Sequence, residues 1–420
     1  MRRVVITGMG AVTPVGNSVP AFQEAIFSGQ NGIGFITKFD TSELKYKLAG
    51  EIKNLDAAAI LGKPFVRKTD TFTQYAMIAA KEAMAQSGLV ADPAQENANI
   101  DPERFGVCFG SGIGGVETLC TDHQNLLEKG ARKVSPYFVP KMIYNIAAGN
   151  IAIEFHANGS CTAVSTACAT GATAIGEGYR NILHGYADAM ICGGSESAIN
   201  ALTVSGFGNC QALSDSDDPE TACRPFDKNR NGFIMAEGAG VMILEEYEHA
   251  KNRNATIIAE ICGYGSTCDA HHVTAPDPEG KQVARAFTQA MPEELRNMDA
   301  LDAGKIYVNA HGTSTKLNDA GETKALKIAF GEENAKKLHI SSTKSMTGHM
   351  LGATGTVEAI AAVLALVNNT VPPTIHYETP DETCDLDYTP NQAVEAELEL
   401  ALSSNLGFGG HNAVLAFRKI

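Results

Sequence analysis

The chain of 420 residues has no Cys-x-x-Cys pair and no dense cysteine framework, its 10 cysteines being scattered from end to end. That excludes a disulfide scaffold and fits a reduced intracellular enzyme. No His-Glu-x-x-His occurs, and His271 and His272 are adjacent, so their side chains project apart; zinc chemistry has no ligand set here. Long apolar runs are missing too: nothing approaches the about 18 consecutive apolar residues that span a membrane. The opening Met1-Arg2-Arg3-Val4-Val5-Ile6 has the basic start of an export signal, but the run stops at Gly8-Met9-Gly10 and reads as a buried strand entering a glycine turn. The expectation is a soluble cytoplasmic protein with no membrane insertion. Proline is modest at 16, charged residues make up 19%, and no low-complexity linker divides the chain. A formal net charge of −15 argues against nucleic acid as a partner. Two basic clusters stand against that background, Lys63, Arg67 and Lys68, then Lys129, Arg132 and Lys133. Each reads either as a solvated helix end or as a docking surface for something acidic.

What is present is alternation. Short apolar runs at residues 104–110, 187–192, 240–244 and 305–309 read as core strands with helices between them. Thr69 or Asp70 caps a helix ending near Ser87 with Gly88 just beyond, and Val139, Met142, Ile143 and Ile146 have the spacing of a helical face. The pattern predicts an α/β fold with helices covering a mixed or parallel sheet. The polar stretch 245–254 is the best candidate boundary, but it follows one strand and precedes another and reads equally as a surface helix.

Three segments carry reactive side chains at strand ends that open into Gly/Ser/Thr loops. Cys168 lies in Ser165-Thr166-Ala167-Cys168-Ala169-Thr170-Gly171-Ala172, His311 in Asn309-Ala310-His311-Gly312-Thr313-Ser314-Thr315, and His349 in Lys344-Ser345-Met346-Thr347-Gly348-His349. A thiol at a helix N-terminus is expected to favour the thiolate through the macrodipole and the free N–H groups of the first turn. A Cys/His hydrolase needs one base and an orienting partner. Two imidazoles with Lys344 suit another demand: each neutral ring donating an Nε2–H to one carbonyl oxygen, so that an enolate forming there is stabilised. Gly110-Ser111-Gly112-Ile113-Gly114-Gly115 matches G-x-G-x-x-G, but the acidic residue that should end the next strand is missing, residues 116–133 staying helical and then turning basic, so it is not read as a dinucleotide site.

These residues resemble the β-ketoacyl-[acyl carrier protein] synthases over essentially the whole chain. The resemblance rests on residues 4–16, Ala167-Cys168, Arg224-Pro225-Phe226-Asp227 through Glu237-Gly238-Ala239-Gly240, the His311 and His349 segments, and Gly407-Phe408-Gly409-Gly410, in family order. It implies the thiolase fold, a duplicated five-layered α-β-α-β-α sandwich with halves spanning residues 1–255 and 256–420, normally a homodimer. It implies that an acyl chain passes from a carrier-protein phosphopantetheine thioester to Cys168 and is condensed there with decarboxylating malonyl-carrier protein, elongating it by two carbons. The backbone N–H groups of Cys168 and Phe408 would form an oxyanion hole, His311 and His349 would hold the malonyl thioester oxygen, and Lys344 would position and tune them. Thr313 and Thr315 would bond the pantetheine arm, and Glu322, three residues after Asp319, matches a supporting acidic position. No cofactor is implied beyond the phosphopantetheine of the carrier protein, whose acidity favours docking at the basic clusters, the second above the first.

Within the family the chain looks closest to synthase II, by the segment Cys268-Asp269-Ala270-His271-His272-Val273-Thr274-Ala275-Pro276 and by Ile113 at the place of a gate beside the acyl pocket. It departs at Leu406, where phenylalanine is usual, at residues 213–218, which lack an arginine, and at His411, where threonine is common. Two other readings are a catalytically silent partner subunit, which usually lacks the nucleophile, and a thiolase, for which Cys384 would have to be a second reactive cysteine.

Overall fold

The structure is a computed structural model describing residues 2–295 and 302–420. Ten strands form its main sheet: β1 (Val4–Val12), β2 (Phe105–Gly110), β3 (Cys161–Val164), β4 (Ala189–Glu196), β5 (Gly238–Glu246), β6 (Ala259–Cys268), β7 (Ile306–Asn309), β8 (His339–Ser341), β9 (Leu400–Gly407) and β10 (His411–Arg418). They lie in the order β8-β7-β9-β10-β6-β1-β5-β4-β2-β3. Only three residue pairs, from Val4↔Ile261 to Ile6↔Ala259, join β1 to β6. On either side of that seam the topology repeats. Each half runs third, second, fourth, fifth and first strand, with its first three pairings parallel, parallel and antiparallel and its last antiparallel.

Helices complete the layers. α1 (Thr71–Ser87) and α2 (Ile146–Glu154) cover the outer face of the first half. The middle layer is α3 (Thr170–Leu183) and α4 (Thr354–Asn368), and α5 (Lys281–Ala290) and α6 (Lys316–Phe330) cover the second half. This is the five-layered α-β-α-β-α sandwich expected of the thiolase fold. α1 begins at Asp70, whose carboxylate accepts the Phe72 N–H, and ends at Gly88 in the left-handed region at φ 65°.

Residues Leu351–Asn368 are long and apolar enough to span a membrane, but 89% of that stretch is buried. It is a core helix, apolar all round because both its faces meet a sheet. The starts of α3 and α4 pack on each other: a Cβ on Gly171 would lie 2.5 Å from Thr356 Oγ1, and one on Gly355 would lie 2.4 Å from the Ala172 nitrogen. Ala-Thr-Gly therefore opens both helices, at residues 169–171 and 353–355.

The expected helical face at 139–146 is interrupted. Phe138–Met142 and Ile146–Glu154 are separate helices, Ile143 is extended at ψ 143°, and Val139 is 56% exposed. The Met142 carbonyl accepts the Gly115 N–H at 3.1 Å, a tertiary bond that takes the place of helix continuation.

Candidate active site

The loops that follow corresponding strands meet at the start of the middle helices. Cys168 lies between β3 and α3, and His349 lies in the matching connection between β8 and α4. His311 follows β7, as the Ser111-Gly112-Ile113 loop follows β2. The β9–β10 turn brings Phe408 to the same place. One cavity of about 470 Å³ is lined by Cys168, His311, His349, Thr313, Thr315 and Phe408, together with Phe207, Phe233 and Leu406. Lys344 stands behind it, 1% exposed.

Cys168 sits in a single 3-10 turn, Ala167–Ala169, entered through Ala167 at φ 50°, a strained value for a residue with a Cβ. Thr170 braces the turn: its Oγ1 accepts the Thr166 N–H at 2.8 Å and donates to the Ala167 carbonyl at 2.7 Å. Gly407 lets β9 close on it, since a Cβ there would lie 2.5 Å from the Thr166 carbonyl oxygen. The N–H groups of Phe408 and of Cys168 itself are directed at the sulfur. The expected thiolate is not the resting form. Burial pushes the thiol up to about 12, outweighing Lys344 and those two N–H groups, which pull it down.

Lys344 has three ammonium hydrogens and three acceptors: the His311 carbonyl at 2.5 Å, Glu358 Oε1 at 2.6 Å and His311 Nδ1 at 3.2 Å. Nδ1 of His311 therefore accepts, and its proton is assigned to Nε2. His349 Nδ1 lies 3.0 Å from the Thr354 hydroxyl, which is placed to donate and leaves Nε2–H free in the same way. The two rings are 5.4 Å apart at 86°, and Phe233 meets His349 edge-on at 5.1 Å. Burial, then the Lys344 charge, holds both histidines well below the ordinary imidazole range, so both are neutral donors.

Supporting groups come from several elements. Glu322 accepts the N–H groups of His311 and Gly312, each at 2.8 Å, and the Ser404 hydroxyl at 2.5 Å. Asp319 accepts the Thr313 N–H at 3.0 Å, and Arg230 holds the Thr315 and Lys316 carbonyls, each at 3.2 Å. Asn405 bonds the second oxygen of Glu358 at 2.6 Å. Burial pushes Glu358 up to about 7 against the pull of Lys344. The sequence reading missed Glu358, Thr354, Asn405 and Arg230. Glu358 had a signal: it is the single charged residue of Thr354–Asn368, and a lone carboxylate in an apolar helix requires a buried partner.

Other expected residues fall elsewhere. Ile113 does not line the cavity; it packs in the apolar cluster that Cys168 also joins. Leu406 lines the cavity, whereas His411 does not, its ring standing over Gly409. Cys384 is buried in the outer core of the second half, away from the cavity, and burial pushes its thiol up to about 11. No disulfide joins any two cysteines among the described residues. The G-x-G-x-x-G loop holds a protein carboxylate where a dinucleotide fingerprint would hold phosphate: Glu196 takes the Gly112 and Ile113 N–H groups at 2.8 and 3.1 Å.

A duplicated five-stranded α/β architecture with a thiol at one central helix and two neutral imidazoles across the cavity defines a thiolase-fold acyl-transfer centre. The family description Beta-ketoacyl synthase, N-terminal domain, matches residues 1–250, and Beta-ketoacyl synthase, C-terminal domain, matches 258–378. The chain belongs to the β-ketoacyl synthase family. It is 49% identical over 418 residues to 3-oxoacyl-[acyl-carrier-protein] synthase 2 of Staphylococcus aureus (strain COL), covering 100% of this chain and 98% of the relative. A β-ketoacyl synthase from Burkholderia phymatum STM815 superposes with a TM-score of 0.88 at 36% identity, covering 100% of both chains. A type II PKS ketosynthase solved in complex with its acyl-carrier protein (AntDE:AntF) has a TM-score of 0.87 at 34% identity, covering 100% of this chain and 99% of that one.

Proposed function

We propose that this chain is a 3-oxoacyl-[acyl-carrier-protein] synthase of the type 2 kind, elongating an acyl chain carried on Cys168 by decarboxylative condensation with malonyl-carrier protein. The observation that carries the reading is the single cavity lined by Cys168, His311 and His349 with Lys344 directly behind it. In the first half-reaction the sulfur of Cys168 attacks the acyl thioester, the carbon–sulfur bond to pantetheine breaks, and the thiol proton ends on the departing pantetheine sulfur. The N–H groups of Cys168 and Phe408 serve as the oxyanion hole.

In the second half-reaction the malonyl thioester oxygen accepts from Nε2–H of His311 and His349. The carboxylate carbon–carbon bond breaks, carbon dioxide leaves, and the electron pair becomes an enolate held by the two imidazoles. That carbon attacks the acyl carbon, and the Cys168 sulfur leaves as a thiolate, which takes a proton from water. Lys344 fixes the His311 tautomer, and its charge favours the leaving thiolate. Thr313 and Thr315, whose hydroxyls are 2.9 Å apart, face the cavity where the pantetheine arm enters. Ile113 gates the acyl pocket from its apolar cluster. The chemistry asks for no cofactor of the protein's own. Residues 1–255 form the half that carries the nucleophile, and 256–420 the half that carries both histidines.

The carrier protein docks through the basic clusters. Lys129, Arg132 and Lys133, and Lys63, Arg67 and Lys68, are all exposed, and none is ion-paired among the described residues. Two copies pair through β3, an edge strand with Cys161 and Thr162 exposed, beside Ile153 at 79% exposure on the adjacent helix. The free thiols and acidic balance suit a cytoplasmic setting. The test is incubation with acyl-carrier proteins of graded chain length, followed by peptide mass mapping. An acyl adduct on the Cys168 peptide is expected; adducts on another cysteine, or none with any donor, would overturn the reading.

A further inference from the structure

Among the buried carboxylates that the mechanism leaves unused, Glu196 stands nearest the Cys168 turn through its contacts with Gly112 and Gly352. Glu196 ends β4 fully buried, and no lysine, arginine or histidine lies within ion-pair distance of it among the described residues. Its four acceptor positions are all filled by neutral donors: Ser111 Oγ at 2.8 Å and the Ile113 N–H at 3.1 Å on Oε1, the Gly112 N–H at 2.8 Å and the Gly352 N–H at 3.0 Å on Oε2. Burial pushes the Glu196 carboxyl up, and the four hydrogen bonds oppose that push; three come from backbone N–H groups, which only donate and so favour the ionised carboxylate.

The donors come from two loops on either side of the nucleophile. A Cβ on Gly112 would lie 2.6 Å from Glu196 Oε2 and 3.7 Å from the Ala167 carbonyl oxygen; one on Gly352 would lie 2.3 Å from the Gly112 nitrogen. Gly352 belongs to the turn Leu351–Ala353 that leads into Thr354, the partner of His349. The second half has a counterpart, Glu322 gripping the N–H groups of His311 and Gly312; Lys344 lowers Glu322, whereas the groups that most lower Glu196 are its four neutral hydrogen-bond donors.

We propose that Glu196 is a positioning residue for acyl transfer, clamping the Gly112-Ile113 segment and the Gly352 turn around Cys168 and presenting an uncompensated negative charge to the sulfur. The groups around Cys168 that bear on its ionisation are Lys344 on one side, Glu196 on the other, the neutral rings of His311 and His349, and the N–H groups of Cys168 and Phe408, with Glu322 and Glu358 behind Lys344. Among them Glu196 is the charged group that pushes the thiol up, adding to burial, and Lys344 the one that pulls it down. The carboxylate thus adds to burial in keeping Cys168 a thiol, and limits its reaction with stray electrophiles.

The inference rests on Cys168 as acyl carrier, and alkylation by iodoacetamide tests it without any carrier protein. Glu196→Gln removes the charge at nearly constant shape. At a fixed pH near neutrality the Cys168 peptide of this variant is expected to alkylate roughly three- to tenfold faster than wild type, the thiolate fraction rising more than its nucleophilicity falls. Ser111→Ala keeps the charge and removes one donor; its alkylation rate is expected to match wild type while acylation of Cys168 by an acyl-carrier protein slows several-fold. A folded Glu196→Gln variant alkylating at the wild-type rate would overturn the proposal. So would an equal rise in Ser111→Ala, which would indicate wider access to the sulfur, or an unchanged acylation rate in Ser111→Ala, the arm that decides if Glu196→Gln fails to fold. Acylation of wild type by an acyl-carrier protein at a cysteine other than Cys168 would instead count against the nucleophile assignment, whereas the exposed Cys161, Cys210 and Cys268 are expected to alkylate in every variant.

Discussion

Burial and charge pull the Cys168 thiol in opposite directions, and burial prevails. A helix-start cysteine with glycine and threonine neighbours was legible in the sequence as a candidate nucleophile; its resting protonation was not, because desolvation depends on what the rest of the chain stacks above it. Since the folded thiol is raised to about 12, the thiolate fraction keeps growing as pH rises. Alkylation of wild-type Cys168 is expected to accelerate with pH from about pH 7 to about pH 9 with no plateau; a plateau in that window would show a thiolate already formed. The sign for stability follows: the folded state keeps its proton while the unfolded thiol ionises near about 8.5, so this group's contribution is full below that pH and is lost as pH climbs toward the folded value. His311 and His349 move the other way. Their ring proton resonances are expected not to titrate between about pH 6 and about pH 8. Lys344 and Glu358 are both 1% exposed and paired. Lys344→Met strands a buried carboxylate, with an expected loss of about 3–5 kcal/mol in unfolding free energy and release of the His311 tautomer, read by denaturant titration and by the His311 nitrogen shifts.

At the scale of elements, strands and capped helices were readable where local chemistry decides them: Asp70 and Gly88 bound α1 as their side-chain and left-handed preferences require. The break at Ile143 was not readable, because the Gly115 N–H that takes the Met142 carbonyl comes from a distant loop. The candidate site followed the same division. Cys168, His311, His349 and Lys344 stand at strand ends in conspicuous loops, while Thr354 and Glu358 are hidden in a helix whose composition speaks only of burial. The Ala-Thr-Gly that opens both middle helices was the local trace of the duplication, three residues being too few to stand out alone. Those openings are in contact, so Gly171→Ala drives a methyl group to 2.5 Å from Thr356 Oγ1. The expected cost is about 1–3 kcal/mol of stability, together with slower acylation of Cys168, since the displaced segment is the nucleophile turn itself. Unchanged thermal stability and acylation in that variant would contradict the packing described.

At the scale of the whole molecule, the two halves repeat one strand order and then divide the chemistry. The connection after the third strand supplies Cys168 in the first half and His349 in the second, and the connection after the second strand supplies Ile113 and His311. Strand topology reveals a kinship between the halves that side chains have lost, because each half kept backbone geometry while its loops took on different tasks. That division is the central claim, and it separates experimentally. In the proposed mechanism His349→Ala removes one of two donors to the enolate oxygen and leaves the N–H groups of Cys168 and Phe408 in place. In this variant the rate of acyl transfer to Cys168 is expected to stay within about threefold of wild type, while malonyl-carrier protein decarboxylation falls about 10²- to 10³-fold. Parallel measurement of both half-reactions decides it: loss of decarboxylation with acyl transfer retained is the predicted result, and equal loss of both would contradict the account.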